Sequence, residues 1–352
     1  MALTIRLIVF SLLTFLLSTE CSYGAERFRV VSYNVENLFD TIKAPGKNDN
    51  EFLPGSKRYW NRKKYYTKLN NLSKVISGVG EWQPPALIGM CEVENEIVLD
   101  DLTKHTPLRE QGYRFVVTDC ADERGIDVAL LYQRDQFHLL GYESYPVRFR
   151  SPKKKTRDIL HVYGNLKNKD TLDVFVCHYP SRRGGTKASE PDRMRVSEVL
   201  LQKIDSLQKI RKKASVIIMG DFNDEPLDNS IKVALRTQSV SNYVTNTKKN
   251  YQTGLYNLFE PFEKKERTGS YKYKGDWNMF DQIMVSGNLL HSPNGFFTQA
   301  KDCRIYDADF ILTEDKTNGG KRPKRTFYGM KYEGGFSDHL PVYADFYLSL
   351  SD

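Results

Sequence analysis

The sequence predicts a layered α/β sandwich, and three observations carry that expectation. Short, nearly continuous apolar runs recur from Phe28 onward, each ending abruptly in polar residues. Two longer stretches between them place apolar residues at helical spacing. No internal repeat, low-complexity linker or compositional shift divides the 352-residue chain, so one domain over residues 26–352 is expected, above the usual size range.

In chain order, the first element is an export signal. Arg6 precedes the apolar run Leu7 to Leu17, and Ser22-Tyr23-Gly24-Ala25 supplies small residues for a signal-peptidase cut. The run is shorter than the roughly 20 apolar residues that cross a bilayer. Residues 1–25 are therefore read as a signal peptide, and the protein as periplasmic or secreted. Lipid anchoring at Cys21 is the alternative, although Glu20 before it fits a lipoprotein cut poorly.

The apolar runs are Phe28 to Tyr33, Ala86 to Cys91, Asp127 to Tyr132, Leu172 to Cys177, Val216 to Met219 and Phe280 to Val285. Strands apolar on both faces are buried between layers, under helices or a second sheet. Leu69, Leu72, Ile76 and Val79 fall on one helical face, as do Val196, Leu200, Ile204 and Leu207, and both are read as core-facing cover helices. The polar stretches Lys43 to Lys57, Lys248 to Tyr256 and Glu314 to Arg325 read as surface loops.

Composition excludes a disordered or fibrous chain: 40% of residues are hydrophobic and 27% charged. The net charge of +8 suits a polyanionic partner, nucleic acid or an anionic membrane surface, and equally an ordinary Lys-rich solvated surface. Cys91, Cys120, Cys177 and Cys303 follow the export segment at spacings that match no zinc pattern. Cys91 and Cys177 sit in apolar strands as small buried hydrophobes, and a Cys120 to Cys303 bridge stays open.

The chemistry gathers at strand ends. Gly220-Asp221-Phe222-Asn223-Asp224 follows the run Ser215 to Met219, and in extended chain Asp221 and Asn223 point to one side. An Asx turn that merely closes the strand explains these residues equally well. Four more strand boundaries speak against coincidence. They carry Ser32-Tyr33-Asn34-Val35-Glu36-Asn37, Cys91-Glu92-Val93-Glu94-Asn95, Cys177-His178-Tyr179-Pro180-Ser181-Arg182-Arg183 and Ser337-Asp338-His339-Leu340-Pro341.

This vocabulary fits phosphoryl chemistry. Glu92, Asp221, Asn34 and Asn223 offer hard oxygen or amide groups, which suit Mg²⁺, with Mn²⁺ as a substitute, better than Zn²⁺. His178 and His339 can hold phosphate oxygens or move protons. Arg182 and Arg183 can pair with phosphate in a bidentate manner, or one of them is a solvated loop charge. Asp281 lies in an apolar strand, where a carboxylate needs a partner such as an imidazolium.

The ordered motifs SYNVENLF, CEVEN, RGIDVALLY, CHYPSRRGG, GDFND, WNMFDQIMVS and SDHLPV span residues 32 to 342. The set resembles the endonuclease/exonuclease/phosphatase superfamily, which includes pancreatic-type deoxyribonuclease and abasic-site endonucleases; GDFND and SDHLPV are its specific members. The resemblance implies a four-layer α/β/β/α sandwich. It implies that Asn34 and Glu92 lie at the metal, Glu92 as principal ligand, with Asp338 beside them. Asp221 and Asn223 would position the attacking water and the scissile phosphate. His339, oriented by Asp281, would be general base or phosphate-stabilising imidazole, and His178 would hold a phosphate oxygen. Asp127 is the candidate partner of His178, or else a strand-edge turn residue paired with Arg124.

Together with the export signal, the resemblance implies an exported Mg²⁺-dependent phosphodiesterase, first of all an endonuclease-like nuclease. A phosphatase or a phosphoinositide- or sphingomyelin-type phosphodiesterase is the second expectation, and an inactive binding module the third. Thr268 to Asn278 interleaves aromatic and basic side chains that either stack bases along a strand or pack on the sandwich rim. Nucleic acid is the expected partner, other phosphoesters the alternative, with no cofactor beyond the metal and a monomeric state.

Overall fold

The computed structural model describes residues 25–211, 213–241, 254–263, 265, 268–290 and 295–349. Apart from Ala25, the expected export signal and Cys21 lie outside the described residues, as do residues 248–253 of the second polar stretch.

With strands numbered in chain order, the first sheet takes β1 (Glu26–Leu38), β2 (Leu87–Val93), β3 (Arg114–Val117), β4 (Asp127–Tyr132), β14 (Phe296–Ile305) and β19 (Val342–Leu348). Their spatial order is β14-β19-β1-β2-β4-β3. The second sheet takes β5 (Phe137–Tyr145), β6 (Ile159–Leu166), β7 (Thr171–His178), β8 (Ser215–Asp221), β9 (Gln238–Ser239), β10 (Leu255–Asn257) and β13 (Asp281–Ser286). These run in the order β5-β6-β7-β8-β13-β10-β9. Among the described residues there are also three two-stranded ribbons: β11 (Tyr271–Tyr273) with β12 (Asp276–Asn278), β15 (Leu312–Glu314) with β16 (Lys321–Pro323), and β17 (Phe327–Tyr328) with β18 (Lys331–Tyr332).

Alternation along the strands explains why the central ones read as continuous apolar runs. Val30, Cys91, Val176, Ile217, Met219 and Ile283 join one buried cluster between the two sheets. Their neighbours Val31, Ile88 and Met90 face outward onto a second cluster with Leu69, Leu72, Ile76 and Val79 of helix α1 (Arg62–Gly80) and Leu99 of α2 (Glu96–Lys104). Phe175, Cys177 and Ile218 face a third, with Val196, Leu200 and Ile204 of α3 (Thr186–Ile210). Both faces of the central strands are thus covered, and the layers run helix, sheet, sheet, helix.

Each outer layer follows from a crossover. β1 and β2 pair in parallel, as do β7 and β8; a parallel pair needs a long connection, supplied here by α1 and by α3. Asn61 opens α1 by accepting from Lys64 N at 3.1 Å. Asn95 of the CEVEN motif opens α2 by accepting from Ile97 N and Val98 N. These crossovers deliver the carboxyl ends of β1, β2, β7 and β8 to one rim of the sandwich.

Several sequence-based expectations need correction. The runs located the central strands and passed over β3, β5, β6 and β14, since β5 and β14 alternate between buried and exposed residues. Leu255 and Tyr256, expected in a loop, are buried in β10. The stretch Glu314 to Arg325 holds β16 and turns Arg325 inward. The four cysteines among the described residues, Cys91, Cys120, Cys177 and Cys303, are free and buried. Cys303 lies on the edge strand β14 and Cys120 follows the opposite edge strand β3, with the width of the sheet between them.

Gly220 couples this framework to the chemistry. It adopts φ +147° opposite Cys177 in the β7–β8 ladder, where an added Cβ would stand 1.8 Å from the Cys177 carbonyl oxygen. Gly220→Ala is expected to cost more than about 3 kcal/mol in urea denaturation, because two paired strands must part. Gly184→Ala, at φ +84° with nothing within 4 Å, should cost only about 1 kcal/mol. Equal losses in the two variants would contradict this account of the ladder.

Candidate active site

The register of the second sheet builds the first row of the site. His178 pairs with Asp221 across β7 and β8, and Asp221 with Asp281 across β8 and β13. The first sheet contributes Asn34 from β1, Glu92 from β2 and His339 from the turn before β19. Glu36, Asn37, Glu92 and Asn223 all hold left-handed backbone, with φ of 52°, 51°, 65° and 51°. Such conformations are costly for residues with a Cβ and concentrate where the surroundings impose them.

Asp221 is the focus. Its Oδ2 accepts from Asn34 Nδ2 at 3.0 Å and lies 3.7 Å from His178 Nε2 and 3.8 Å from His339 Nε2. Its Oδ1 accepts from Asn223 N at 2.9 Å, which closes the expected Asx turn. The Asn223 side chain donates to Tyr179 O at 3.0 Å. Burial raises the Asp221 pKa and the neighbouring His339 opposes that rise.

His339 is held on three sides. Its Nδ1 lies 2.6 Å from Asp281 Oδ2, and since a carboxylate only accepts, Nδ1 carries the proton. Its backbone N donates to Ser337 Oγ, which in turn donates to Asn34 O. The Tyr271 ring stacks on the imidazole at 4.6 Å and 30°. Burial alone would lower the imidazole pKa, but the Asp281 and Asp221 carboxylates outweigh it and raise it. His178 goes the other way: burial, with Arg157 and Arg124 nearby, pushes it well below its ordinary value, and its Nδ1 has no partner.

Asp127 is not that partner. Its Oδ1 accepts from Thr118 Oγ1 and from Cys120 N, because β4 opens beside the loop after β3 in the first sheet while His178 ends a strand of the second. The alternative pairing with Arg124 fails too, since that guanidinium reaches Asn37 Oδ1 and approaches Glu92 at 3.8 Å. Asn34, expected at the metal, donates to Asp221, and its Oδ1 accepts from Glu36 N at 3.0 Å. Glu92 accepts from Asn37 N through Oε2 at 2.8 Å and lines the cleft.

The two arginines separate. Arg182 is committed to Asp228 at 2.6 Å, Asp224 at 3.1 Å and Asn223 O at 2.8 Å, and covers the Phe280 ring. It clamps the GDFND loop. Arg183 is exposed in the cleft wall.

Sequence reading passed over Glu36, Lys68, Arg157 and Arg325. Glu36 accepts from Arg325 Nε at 2.9 Å and Thr326 N at 2.7 Å, with Lys68 Nζ 3.9 Å away. Arg325 also donates to Asp338 at 2.7 Å, which lowers the Asp338 pKa against the effect of burial. The available signal was Glu36 itself, a carboxylate within the same strand-end motif as Asn34. Arg157 donates to Tyr179 O and lines the cleft.

These groups surround an open cleft of about 710 Å³, with Arg124, Arg157, Arg182 and Arg183 in its walls and Tyr271 and Tyr273 on its rim. Asp221, Asp281 and His339 each offer a ligand atom within 4.8 Å of the others and could share one ion. Since Nδ1 of His339 is spent on Asp281, the trio also reads as an oriented imidazole beside a carboxylate. Asp281 Oδ1 is buried without a hydrogen-bond partner. The donors are oxygens and imidazole nitrogen, while Cys91 Sγ turns to Cys177 O. That set fits a hard divalent cation.

A family model described as endonuclease/exonuclease/phosphatase family matches residues 29–348. No curated protein sequence matches the chain. Among solved structures, the chain is similar to an endonuclease/exonuclease/phosphatase family protein of Bacteroides thetaiotaomicron, with 16% identity over 93% of this chain and 100% of that one and a TM-score of 0.55. It is also similar to a mannosyl-6-phosphatase of the same organism, with 18% identity over 91% and 99% and a TM-score of 0.54. A third likeness is to D. rerio TDP2 complexed with a single-stranded DNA product, with 16% identity over 91% and 99% and a TM-score of 0.54. At such identities the likeness is one of fold.

The pair His339 and Asp281 should act as a unit. Asp281→Asn is expected to lower kcat by about 10²-fold or more with a smaller change in KM, since orientation matters chiefly in the transition state. The double variant with His339→Ala should lose little beyond the worse single one. Losses that multiply would show two independent residues. For the arginines, Arg182→Gln should destabilise by on the order of 2 kcal/mol, the scale of hydrogen bonds to charged groups. Arg183→Gln should leave the urea midpoint in place; a matching loss there would refute the distinction.

Proposed function

The chain belongs to the endonuclease/exonuclease/phosphatase family, and from that premise we propose that this phosphoesterase is a Mg²⁺-dependent nuclease that hydrolyses phosphodiester bonds. The observation that carries the reading is the join of an oriented imidazole pair and a buried carboxylate with an open, arginine-walled, tyrosine-rimmed cleft. An open cleft admits a phosphate flanked on both sides by a chain, and a tyrosine rim offers flat faces to bases.

Hydrolysis needs an in-line nucleophile, a place for its proton and neutralisation of the charge that grows on phosphorus oxygens. Glu92, with the oxygens around Asp221, would hold the cation, which supplies Lewis-acid neutralisation of that charge when bound. Asp221 is held by Asn34 and by Asn223 N so that Oδ2 faces both imidazoles, which suits it to accept the proton of the attacking water. His339, kept cationic by Asp281, donates from Nε2 toward a phosphate oxygen. His178, kept neutral by burial, serves as an uncharged donor or acceptor across the cleft. Preorganised donors of this kind are each worth roughly 10²- to 10³-fold in rate.

A phosphomonoesterase is the second reading, favoured by Arg183, an exposed guanidinium free for a terminal phosphate, and by the fold shared with the mannosyl-6-phosphatase. An inactive binding module draws no support from a site that retains Glu92, Asp221, Asn223 and His339. The deciding experiment is a panel of plasmid DNA, RNA, sugar phosphates, phosphoinositides and sphingomyelin, with Mg²⁺, with Mn²⁺ and with chelator. Nucleic acids should be cut with either metal, chelator should abolish cutting, and Glu92→Gln should raise the Mg²⁺ needed by at least tenfold. Release of phosphate from sugar phosphates with DNA and RNA intact would overturn the nuclease in favour of the phosphatase.

A further inference from the structure

Outside the catalytic cleft the surface carries a second anion-facing feature. The eight residues Arg148 to Lys155 contain five cations and no carboxylate. Arg148, Arg150, Lys153, Lys154 and Lys155 are all exposed. Together with α3 this loop forms a groove of about 790 Å³ lined by Arg148, Arg150, Lys154, Arg195, Asp192 and Glu198 among others. The loop is held in place. Phe149 packs against the core cluster under α3, Lys154 pairs with Asp192, and Arg195 Nε donates to Arg148 O at 3.3 Å. Lys154 is neutralised by Asp192 and Arg195 by Glu198. Arg148, Arg150, Lys153 and Lys155 have no carboxylate partner among the described residues.

The groove adjoins the site. Arg157, two residues beyond Lys155 and so within about 7 Å of chain, lines the catalytic cleft. On the other side α3 runs from Thr186 at the cleft to Pro191 and Arg195 at the groove, roughly 8–14 Å along its axis. That distance corresponds to about two to four nucleotides of a stacked strand, at about 3.4 Å of helix axis per nucleotide. Four unpaired cations on a fixed loop at this spacing match a run of phosphates joined to the scissile one, and a small sugar phosphate bound in the cleft would not span them.

We propose that the Arg148–Lys155 loop and the adjoining half of α3 form a docking surface for a nucleic-acid strand, binding phosphates two to four nucleotides from the one being cleaved. The proposal rests on the nuclease reading and sharpens it to strands longer than a dinucleotide.

The test compares the full chain with a variant carrying Arg148→Ser, Arg150→Ser, Lys153→Ser and Lys155→Ser, all exposed, unpaired and outside the catalytic groups. Thermal melting confirms that the variant folds. Substrates are single-stranded oligonucleotides of 2, 4, 8 and 16 residues and bis(4-nitrophenyl) phosphate. For the full chain, kcat/KM should climb with length and level off by about eight nucleotides. The variant should match it on the dinucleotide and the small diester, fall at least tenfold on the 16-mer, and show a salt slope shallower by about 2–3, near 0.7 per lost contact. Identical length and salt dependence in the two proteins would overturn the docking surface while leaving the nuclease in place. If no oligonucleotide is cut, fluorescence anisotropy of a labelled 16-mer separates the claims. Tight binding lost in the variant keeps the docking surface and removes the nuclease; equal binding in both, or binding confined to anionic vesicles, removes the docking surface.

Discussion

Two carboxylates with almost no exposure stand side by side on adjacent strands, and the rest of the site is arranged around them. Asp221 and Asp281 are 1% and 0% exposed and directly paired in the β8–β13 ladder. Left alone they would repel each other in a medium that poorly tolerates even one charge. The compensation comes from the opposite sheet. Asn34 on β1 donates to Asp221, and His339, just before β19, pairs with Asp281 through Nδ1 and faces Asp221 through Nε2. Polar contacts between the sheets thus hold the rim where apolar packing gives way to the cleft, and the same contacts orient the imidazole.

A second tier keeps those partners in place. Glu36, Lys68, Arg325 and Asp338 form a largely buried network that ties α1, β1 and the chain after β16 to the turn carrying His339. Lys68 also donates to Thr326 Oγ1 at 2.7 Å, and burial lowers its pKa to about 8. Networks of this kind add little net stability compared with apolar packing of the same volume. Their effect here is geometric: Asp338 and His339 are adjacent, so holding one carboxylate limits where the neighbouring imidazole can go. Arg182 does the same for the GDFND loop by spanning Asp224, Asp228 and the Asn223 carbonyl.

The rigid centre and the permissive rim divide the work of recognition. The residues proposed to touch the reacting groups sit at strand ends and are fixed by several bonds each, which suits interactions needed only in the transition state. Tyr271 belongs to both regions, since its ring packs on His339 while its ribbon carries the 57% exposed Tyr273 onto the cleft rim. The interleaved segment Thr268 to Asn278 therefore packs in part on the sandwich and in part lines the cleft. Trp277 packs toward the core under α1, Lys272 pairs with Asp315, and Tyr271 and Tyr273 line the cleft. On the proposed reading, substrate choice would fall to such rim groups and to the basic surface beside them, because the fold alone does not select a phosphoester.

The sequence by itself determined the central strands, the cover helices, the order of the motifs and the residue types of the site, because these are local or periodic properties. A strand apolar on both faces has to be buried, and helical spacing has to face a core. Side-chain partners were legible only where one bond type was forced, as for Asp281, whose buried carboxylate called for a cation. Tertiary structure decided the rest. Asp127 turned to Thr118 and Cys120 because its strand lies in the other sheet from His178, and Asn34 meets Asp221 because β1 passes over β8. Arg325 looked like a loop charge until the chain after β16 folded back over Glu36, and Cys120 and Cys303 were separated by the width of a sheet. Each of these depends on which residues distant in sequence are brought within about 4 Å, and neither periodicity nor local spacing encodes that distance.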